Sequence, residues 1–404
     1  MAALYHESIV PRPVLDPVPM LNLTRQYAGL REEILEAVTR VCDSQAFILG
    51  PEVEAFESGV AKACSAPFAI ACASGTDALW LALAASGIGN STETAETSSR
   101  DAVITSPFSF FASASAILRA GAVPVFADID PRTFNLSAES VGEVLRGVSG
   151  GKVRGILPVH LYGQCADFDV LKEVAEGRGL ALVEDAAQAF GATWKGQMAG
   201  TLGTAAAFSF YPTKNLSAMG DAGLVTTSYQ RIAERVRSLR SHGMTRRYYH
   251  DELGWNARMD AVQAATLSVK LKYVAGWNEQ RCQKAARYDE LFRGAGLAGE
   301  NSVGEGIVLP WTDPRAQHVF HQYVIRAPRR NALREYLAEL GIGSEIYYPV
   351  PLHLQDALAG LGYRPGDFPE AERAAREVLA LPIYPELRDD EQQAVVDAIR
   401  AFYA

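Results

Sequence analysis

The sequence has no apolar run approaching the ~18 residues that a membrane span needs, and its N-terminus lacks the charged-then-apolar order of an export signal. It also lacks any C-x-x-C pair. Cys42, Cys64, Cys72, Cys165 and Cys282 are scattered and odd in number, which argues against a disulfide framework and for a reducing compartment. No cysteine or histidine spacing resembles a zinc site, so no metal is expected. Excess positive charge is missing too. A formal net charge of −9 argues against nucleic acid or an anionic membrane as the main partner, while leaving a small anionic ligand open to local groups. No internal repeat is visible, and no G-x-G-x-x-G follows the first β-rich run, which removes the usual dinucleotide-binding reading. A soluble, cytoplasmic protein is the expectation these absences leave.

What is present is length and alternation. A chain of 404 residues exceeds one simple core, so a large domain over residues 1–270 and a smaller α+β domain over 271–404 are expected. Residues 1–20 are Pro-rich and aperiodic and read as an extended arm. Leu30, Ile34, Val38 and Val41 then fall at helical spacing. Short apolar runs at 68–72, 102–105, 123–127, 155–159 and 180–183 alternate with helical stretches such as 77–85 and 112–120. Continuous apolar strands interleaved with helices predict a mostly parallel sheet covered on both faces. Ligands of such sheets sit at the carboxyl ends of the strands. The polar stretch 89–101 reads as a solvated loop. A long helix is expected from Asp260, with Gln263 placed as in a capping box. The tail should end in an amphipathic helix bearing Val395, Val396, Ile399 and Phe402.

Three short motifs carry chemistry. Ala73-Ser74-Gly75-Thr76-Asp77 follows the first strong strand and opens a helix, where free N–H groups and the dipole favour a phosphate. Ser74 or Thr76 serving as a plain helix cap is an equal alternative. Glu184 and Asp185 end another buried strand, and a carboxylate there needs a cationic partner. A protonated pyridine nitrogen would serve, with Gln188 near enough along the turn to reach that ring's phenolic oxygen. Taken alone, the motif favours a structural salt bridge for Asp185. Lys214 emerges from the apolar run Phe208-Ser209-Phe210, and burial there would lower its pKa and make it nucleophilic. Ser209 could add a hydroxyl to the phosphate cup.

The order of these motifs resembles the DegT/DnrJ/EryC1/StrS family of nucleotide-sugar aminotransferases, which use pyridoxal 5'-phosphate (PLP). The resemblance runs over nearly the whole chain. It includes Phe47 through Val53, Ser74-Gly75-Thr76-Asp77, Asp128-Ile129-Asp130-Pro131 and His160-Leu161-Tyr162-Gly163-Gln164. Glu184 through Gln188, Pro212 through Leu216, His242-Gly243, Asn256 through Gln263, Tyr348-Pro349 and Leu381-Pro382 continue it. The resemblance implies a fold-type I PLP-dependent transferase with Lys214 as Schiff-base lysine and Asp185 as pyridinium partner. It further implies Gln188 on the phenolic oxygen, Phe110 stacked on the ring, and Gly75, Thr76 and Ser209 around the phosphate. Asn256 matches a phosphate contact that the family draws from the neighbouring subunit, implying a homodimer with shared sites. Ala222 departs from the family's usual glycine, Ser241 from its frequent asparagine, and the loop after Gly89 is longer.

The same resemblance implies L-glutamate as amino donor and a keto sugar on a nucleoside diphosphate as acceptor. The stretch 237–250 offers Arg246, Tyr248 and His250 for such a ligand; a solvated loop is the alternative. His321, Tyr348 and His353 are further candidates that could equally be packed, satisfied residues. Gly163 through Phe168, and Arg246-Arg247-Tyr248-Tyr249-His250 ahead of Asn256, resemble the branch that aminates C3 of the sugar rather than C4. A sugar dehydratase of this fold would carry histidine in place of Lys214. A catalytically silent regulatory relative would be expected to have lost Asp185, Gln188 or Lys214.

Overall fold

The computed structural model describes residues 16–89, 100–147, 153–299 and 306–404. Most of the expected N-terminal arm and of the polar loop 89–101 lies outside them. Two helices lead in. In α1 (Leu23–Ser44) Asn22 caps the start by accepting from the Arg25 N–H at 3.1 Å, and the stripe Leu30, Ile34, Ala37 and Val41 is buried. A proline in its first turn, where no N–H is needed, opens α2 (Pro51–Cys64). Both helices pack on a later helix, Ala261–Leu271.

The centre is a seven-stranded sheet. Its strands are β1 (Phe68–Cys72), β2 (Ala102–Thr105), β3 (Val123–Phe126), β4 (Val153–Leu157), β5 (Ala181–Asp185), β8 (Ala205–Ser209) and β9 (Gly223–Thr227). They lie in the order β1-β9-β8-β5-β4-β2-β3, with β9 antiparallel to both its neighbours and all other pairings parallel. Between β5 and β8 the chain adds β6 (Thr193–Trp194) and β7 (Gln197–Met198), part of a small separate sheet. The predicted strands are therefore present within two residues at their ends. Helices α3 (Gly75–Ala85), α4 (Ala112–Arg119), α5 (Ala138–Gly147) and α6 (Phe168–Glu176) connect strands of the sheet, and α7 (Gln230–Leu239) follows β9. The strands are buried on both sides, as the unbroken apolar runs require.

Reversal of β9 brings two distant segments together. Ser209 at the end of β8 pairs with Gly223 at the start of β9, and Gly223 pairs with Cys72 at the end of β1. The chain between β8 and β9, which carries Lys214, thus returns to the same sheet edge as the turn that opens α3.

Beyond β9 come the short hairpin β10 (Met244–Arg246) and β11 (Tyr249–His250), then α8 (Ala261–Leu271) and the long α9 (Val274–Gly294). The capping box expected at Asp260 does not form. The Gln263 amide instead accepts from the Met219 N–H at 2.8 Å and donates to the Met219 carbonyl at 3.3 Å. The Lys214 loop offers the Gln263 side chain two backbone partners, where the helix start would offer one. After α9 the chain forms β12 (Ala316–Gln317), β13 (Tyr323–Arg326), α10 (Arg330–Glu339), α11 (Pro369–Glu377), β14 (Val378–Leu381) and α12 (Asp389–Tyr403). The antiparallel β13–β14 pair shares a hydrophobic cluster with Tyr288, Phe292, Leu333, Val395 and Ile399. Among the described residues no helix is long and apolar enough to cross a membrane.

Candidate active site

At the start of α3, the Ser74 hydroxyl accepts from the Asp77 N–H at 3.0 Å, so the capping reading holds for Ser74. That leaves the N–H groups of Gly75 and Thr76, the first of the helix, without an intrahelical acceptor. A Cβ on Gly75 would lie 2.5 Å from the Ser209 Cβ and 2.9 Å from its hydroxyl. Only glycine lets the helix start approach Ser209 so closely. The result is a small concave cluster of two N–H groups and one hydroxyl, suited to a phosphate.

Asp185 ends β5 and is 5% exposed. Its carboxylate accepts from the Ser113 hydroxyl at 2.8 Å and the Ala187 N–H at 3.2 Å. Among the described residues it meets no side-chain cation at salt-bridge distance, so the structural salt bridge left open by the sequence is not what holds it. Burial raises its pKa, against the pull of those two donors and of Lys214. Glu184, one residue earlier and on the opposite face, is settled differently. It accepts from the backbone N–H groups of Gly200, Leu202 and Gly203 at 2.6–2.8 Å and lies 3.0 Å from His160 Nε2. His160 Nδ1 accepts from the Ala166 N–H, which leaves Nε2 as the donor of a neutral ring. Of the two acids, only Asp185 is left wanting a cation.

Lys214 lies in the turn after Tyr211, its own N–H donating to the Tyr211 carbonyl at 2.8 Å. Burial lowers its pKa to about 8, although Asp185 pulls the other way. An amine so held gives up its proton far more readily than an ordinary lysine, about one in ten being unprotonated at pH 7. Gln188 donates from Nε2 to the Tyr348 hydroxyl at 3.1 Å and accepts from the Tyr162 N–H at 2.7 Å. Phe110 is 58% exposed, its ring centroid 6.1 Å from that of Tyr348.

The remaining candidates are spread more widely. Arg246, Tyr248 and His250 stand on the exposed β10–β11 hairpin, where Arg246 lies over Tyr249, and His250 Nδ1 is 2.9 Å from the His242 carbonyl. Asn256 is exposed next to Ala257, whose carbonyl accepts from the Ala73 N–H. His321 is enclosed, with Nδ1 3.2 Å from the Asn215 side-chain carbonyl oxygen. His353 is enclosed too, 3.2 Å from Glu372 and edge-on to Phe368. Sequence reasoning missed Ser113, Asn215 and Asn278. For Ser113 a signal existed: a hydroxyl on the buried face of α4, in step with Ile117, needs a polar partner.

A phosphate-bearing pyridine fits these residues on their own chemistry. The glycine cradle at Gly75 would be filled by any Cβ, and the Asp185 carboxylate lacks a cation. Among the described residues the Lys214 amine likewise meets no acid at ion-pair distance. Comparison with known proteins agrees. A relative from Geobacillus stearothermophilus named "Pleiotropic regulatory protein" is 46% identical over 386 residues, 96% of this chain and 98% of its own. The dTDP-3-amino-3,4,6-trideoxy-alpha-D-glucose transaminase of Streptomyces venezuelae is 41% identical, with 95% of each chain covered. The crystal structure of S. venezuelae DesV in complex with a ketimine intermediate superposes with a TM-score of 0.88 at 41% identity, covering 96% of this chain and 98% of that one. Residues 29–400 match the sequence pattern of one family throughout. This chain belongs to the DegT/DnrJ/EryC1/StrS aminotransferase family, and is a PLP-dependent sugar aminotransferase of fold type I.

Proposed function

We propose that the chain moves the amino group of L-glutamate to C3 of a keto sugar carried on a nucleoside diphosphate. The observation that carries the catalytic part is the pairing of a buried carboxylate that meets no cation at salt-bridge distance among the described residues with a buried amine of lowered pKa at one sheet edge. When bound, PLP supplies an electrophilic carbon and an electron sink. Lys214 would anchor the group, and as a free amine its Nζ could take and return the substrate's proton as base and acid in turn. The Asp185 carboxylate, oriented by Ser113 and Ala187, would keep the ring nitrogen protonated. Gln188 Nε2 would serve the phenolic oxygen, Phe110 would cover the ring face, and Gly75, Thr76 and Ser209 would hold the phosphate.

The sugar is bound by the exposed hairpin with Arg246, Tyr248 and His250, and by Tyr348. Supporting C3 are the segments Gly163 through Phe168 and Arg246 through His250, and the Streptomyces venezuelae relative named for a 3-amino sugar. A panel of 3-keto and 4-keto nucleotide sugars assayed with glutamate tests the position. Preference for the 3-keto set is expected; preference for the 4-keto set would move the reaction to C4.

The protein works as a homodimer in which Asn256 of one subunit reaches the phosphate of the other. Asn256 is exposed within a single chain, as are Phe110, Tyr211, Met219 and Trp255 on the segments flanking the site. Residue 270, near the passage from α8 to α9, is the proposed domain boundary. A silent regulatory role draws on the name of the Geobacillus relative. The intact Lys214, Asp185 and Gln188 favour catalysis over it.

A further inference from the structure

The residue after Lys214 is tied down by a chain of buried amides whose polarity is fixed. Asn215 Nδ2 donates both its hydrogens, to Asn278 Oδ1 at 2.7 Å and to the Val319 carbonyl at 3.2 Å. Asn278 Nδ2 donates in turn to the Phe190 carbonyl at 2.9 Å. Backbone carbonyls can only accept, so neither amide can be turned over without two acceptors facing each other. Gly191 makes room for this arrangement: a Cβ there would lie 2.3 Å from Asn278 Nδ2.

The direction of the chain settles the next link. Asn215 Oδ1 has no hydrogen to give, so His321 Nδ1, 3.2 Å away, must be the donor. A neutral ring with its proton on Nδ1 has its lone pair on Nε2. Burial keeps the His321 ring uncharged, and the neighbouring Lys214, Arg281 and His318 act in the same direction. Arg281 fixes the backbone beside it, donating to the carbonyls of Phe320, His321 and Ile383 at 3.0–3.3 Å.

Resting on the reading of Lys214 as the cofactor lysine, we propose that His321 is a positioning residue. Through its Nδ1–H to Asn215 it locks the Lys214 turn to α9 and to the segment entering β13. The lysine's aim is thereby set from the C-terminal half of the chain, and His321 contributes no charge. His321→Asn retains a donor at the position of Nδ1, whereas His321→Gln moves the amide to that of Nε2.

The test is a pH titration of the visible cofactor band in wild type and in the variants His321→Asn, His321→Gln and Asn215→Ala. Histidine tautomers are read in the cofactor-free protein by nitrogen NMR. We expect the wild-type ring to stay neutral and Nδ1-protonated, and His321→Asn to titrate with the wild type. His321→Gln and Asn215→Ala should shift the midpoint by about one pH unit. Identical midpoints in all four proteins, an Nε2–H tautomer in the wild type, or His321→Asn shifting as far as His321→Gln would overturn the proposal. Should Asn215→Ala fail to fold, the two histidine variants alone decide it. A Lys214→Ala protein that kept the band would instead refute the lysine assignment, and is measured alongside to keep the two failures apart.

Discussion

Gly75 shows how the absence of a side chain can shape a binding site. Its hydrogen faces Ser209 where a methyl would overlap that side chain, so Gly75→Ala must push apart the two walls of the phosphate cup. Overpacking of this kind costs about 1–3 kcal/mol. We therefore expect a lower melting temperature and weaker PLP binding, measured by cofactor titration, with the Lys214 amine itself unaffected. Gly75, Asp185 and Lys214 stood out in the sequence because each is a residue type that its surroundings should reject: a glycine opening a helix, an acid ending an apolar strand and an amine just beyond an apolar run. Asn278 did not, and for Ser113 the sequence signals only the need for a polar partner, not which one. Their partners lie far along the chain, at Asp185 and Asn215, and local periodicity carries no information about a contact across 72 or 63 residues.

Among the elements, α8 does more than pack. It holds the Lys214 loop through Gln263 on Met219 and through Lys270, whose Nζ donates to the Ser217 hydroxyl at 3.1 Å. Lys270 is buried, and burial lowers its pKa from 10.5 to about 8. Below pH 8 both folded and unfolded states carry its proton, so the fold bears the full burial penalty. Between pH 8 and 10.5 the folded state has lost that proton while the unfolded state keeps it, so stability rises with pH. Lys270→Met should flatten that rise and stabilise the protein at pH 7 by about 1–2 kcal/mol. Chemical denaturation of both proteins from about pH 7 to 10 measures this. Five of the seven sheet strands were readable as apolar runs, and the run ending at Phe210 overlaps a sixth, yet β9 was not expected as a strand, nor its antiparallel direction. A buried strand looks the same in either direction, and only the return of the 210–222 loop to the Lys214 edge reveals it.

For the whole molecule, the proposed shared site requires two chains. If Asn256 serves the partner's phosphate, inactive Lys214→Ala and Asn256→Ala proteins should form mixed dimers in which one site has both intact residues. Random exchange would restore about one quarter of the sites. Recovery on mixing supports shared sites; none, in a population shown by sedimentation to exchange subunits, would place Asn256 in its own chain's site.

The most direct measurement is the visible absorption spectrum of the protein with PLP, before and after L-glutamate, in wild type and in Lys214→Ala. The account predicts a yellow band that needs Lys214 and bleaches when glutamate is added. A band that survives in Lys214→Ala, or no band in the wild type, would contradict the central assignment. A wild-type band that glutamate leaves unchanged would contradict the amino donor.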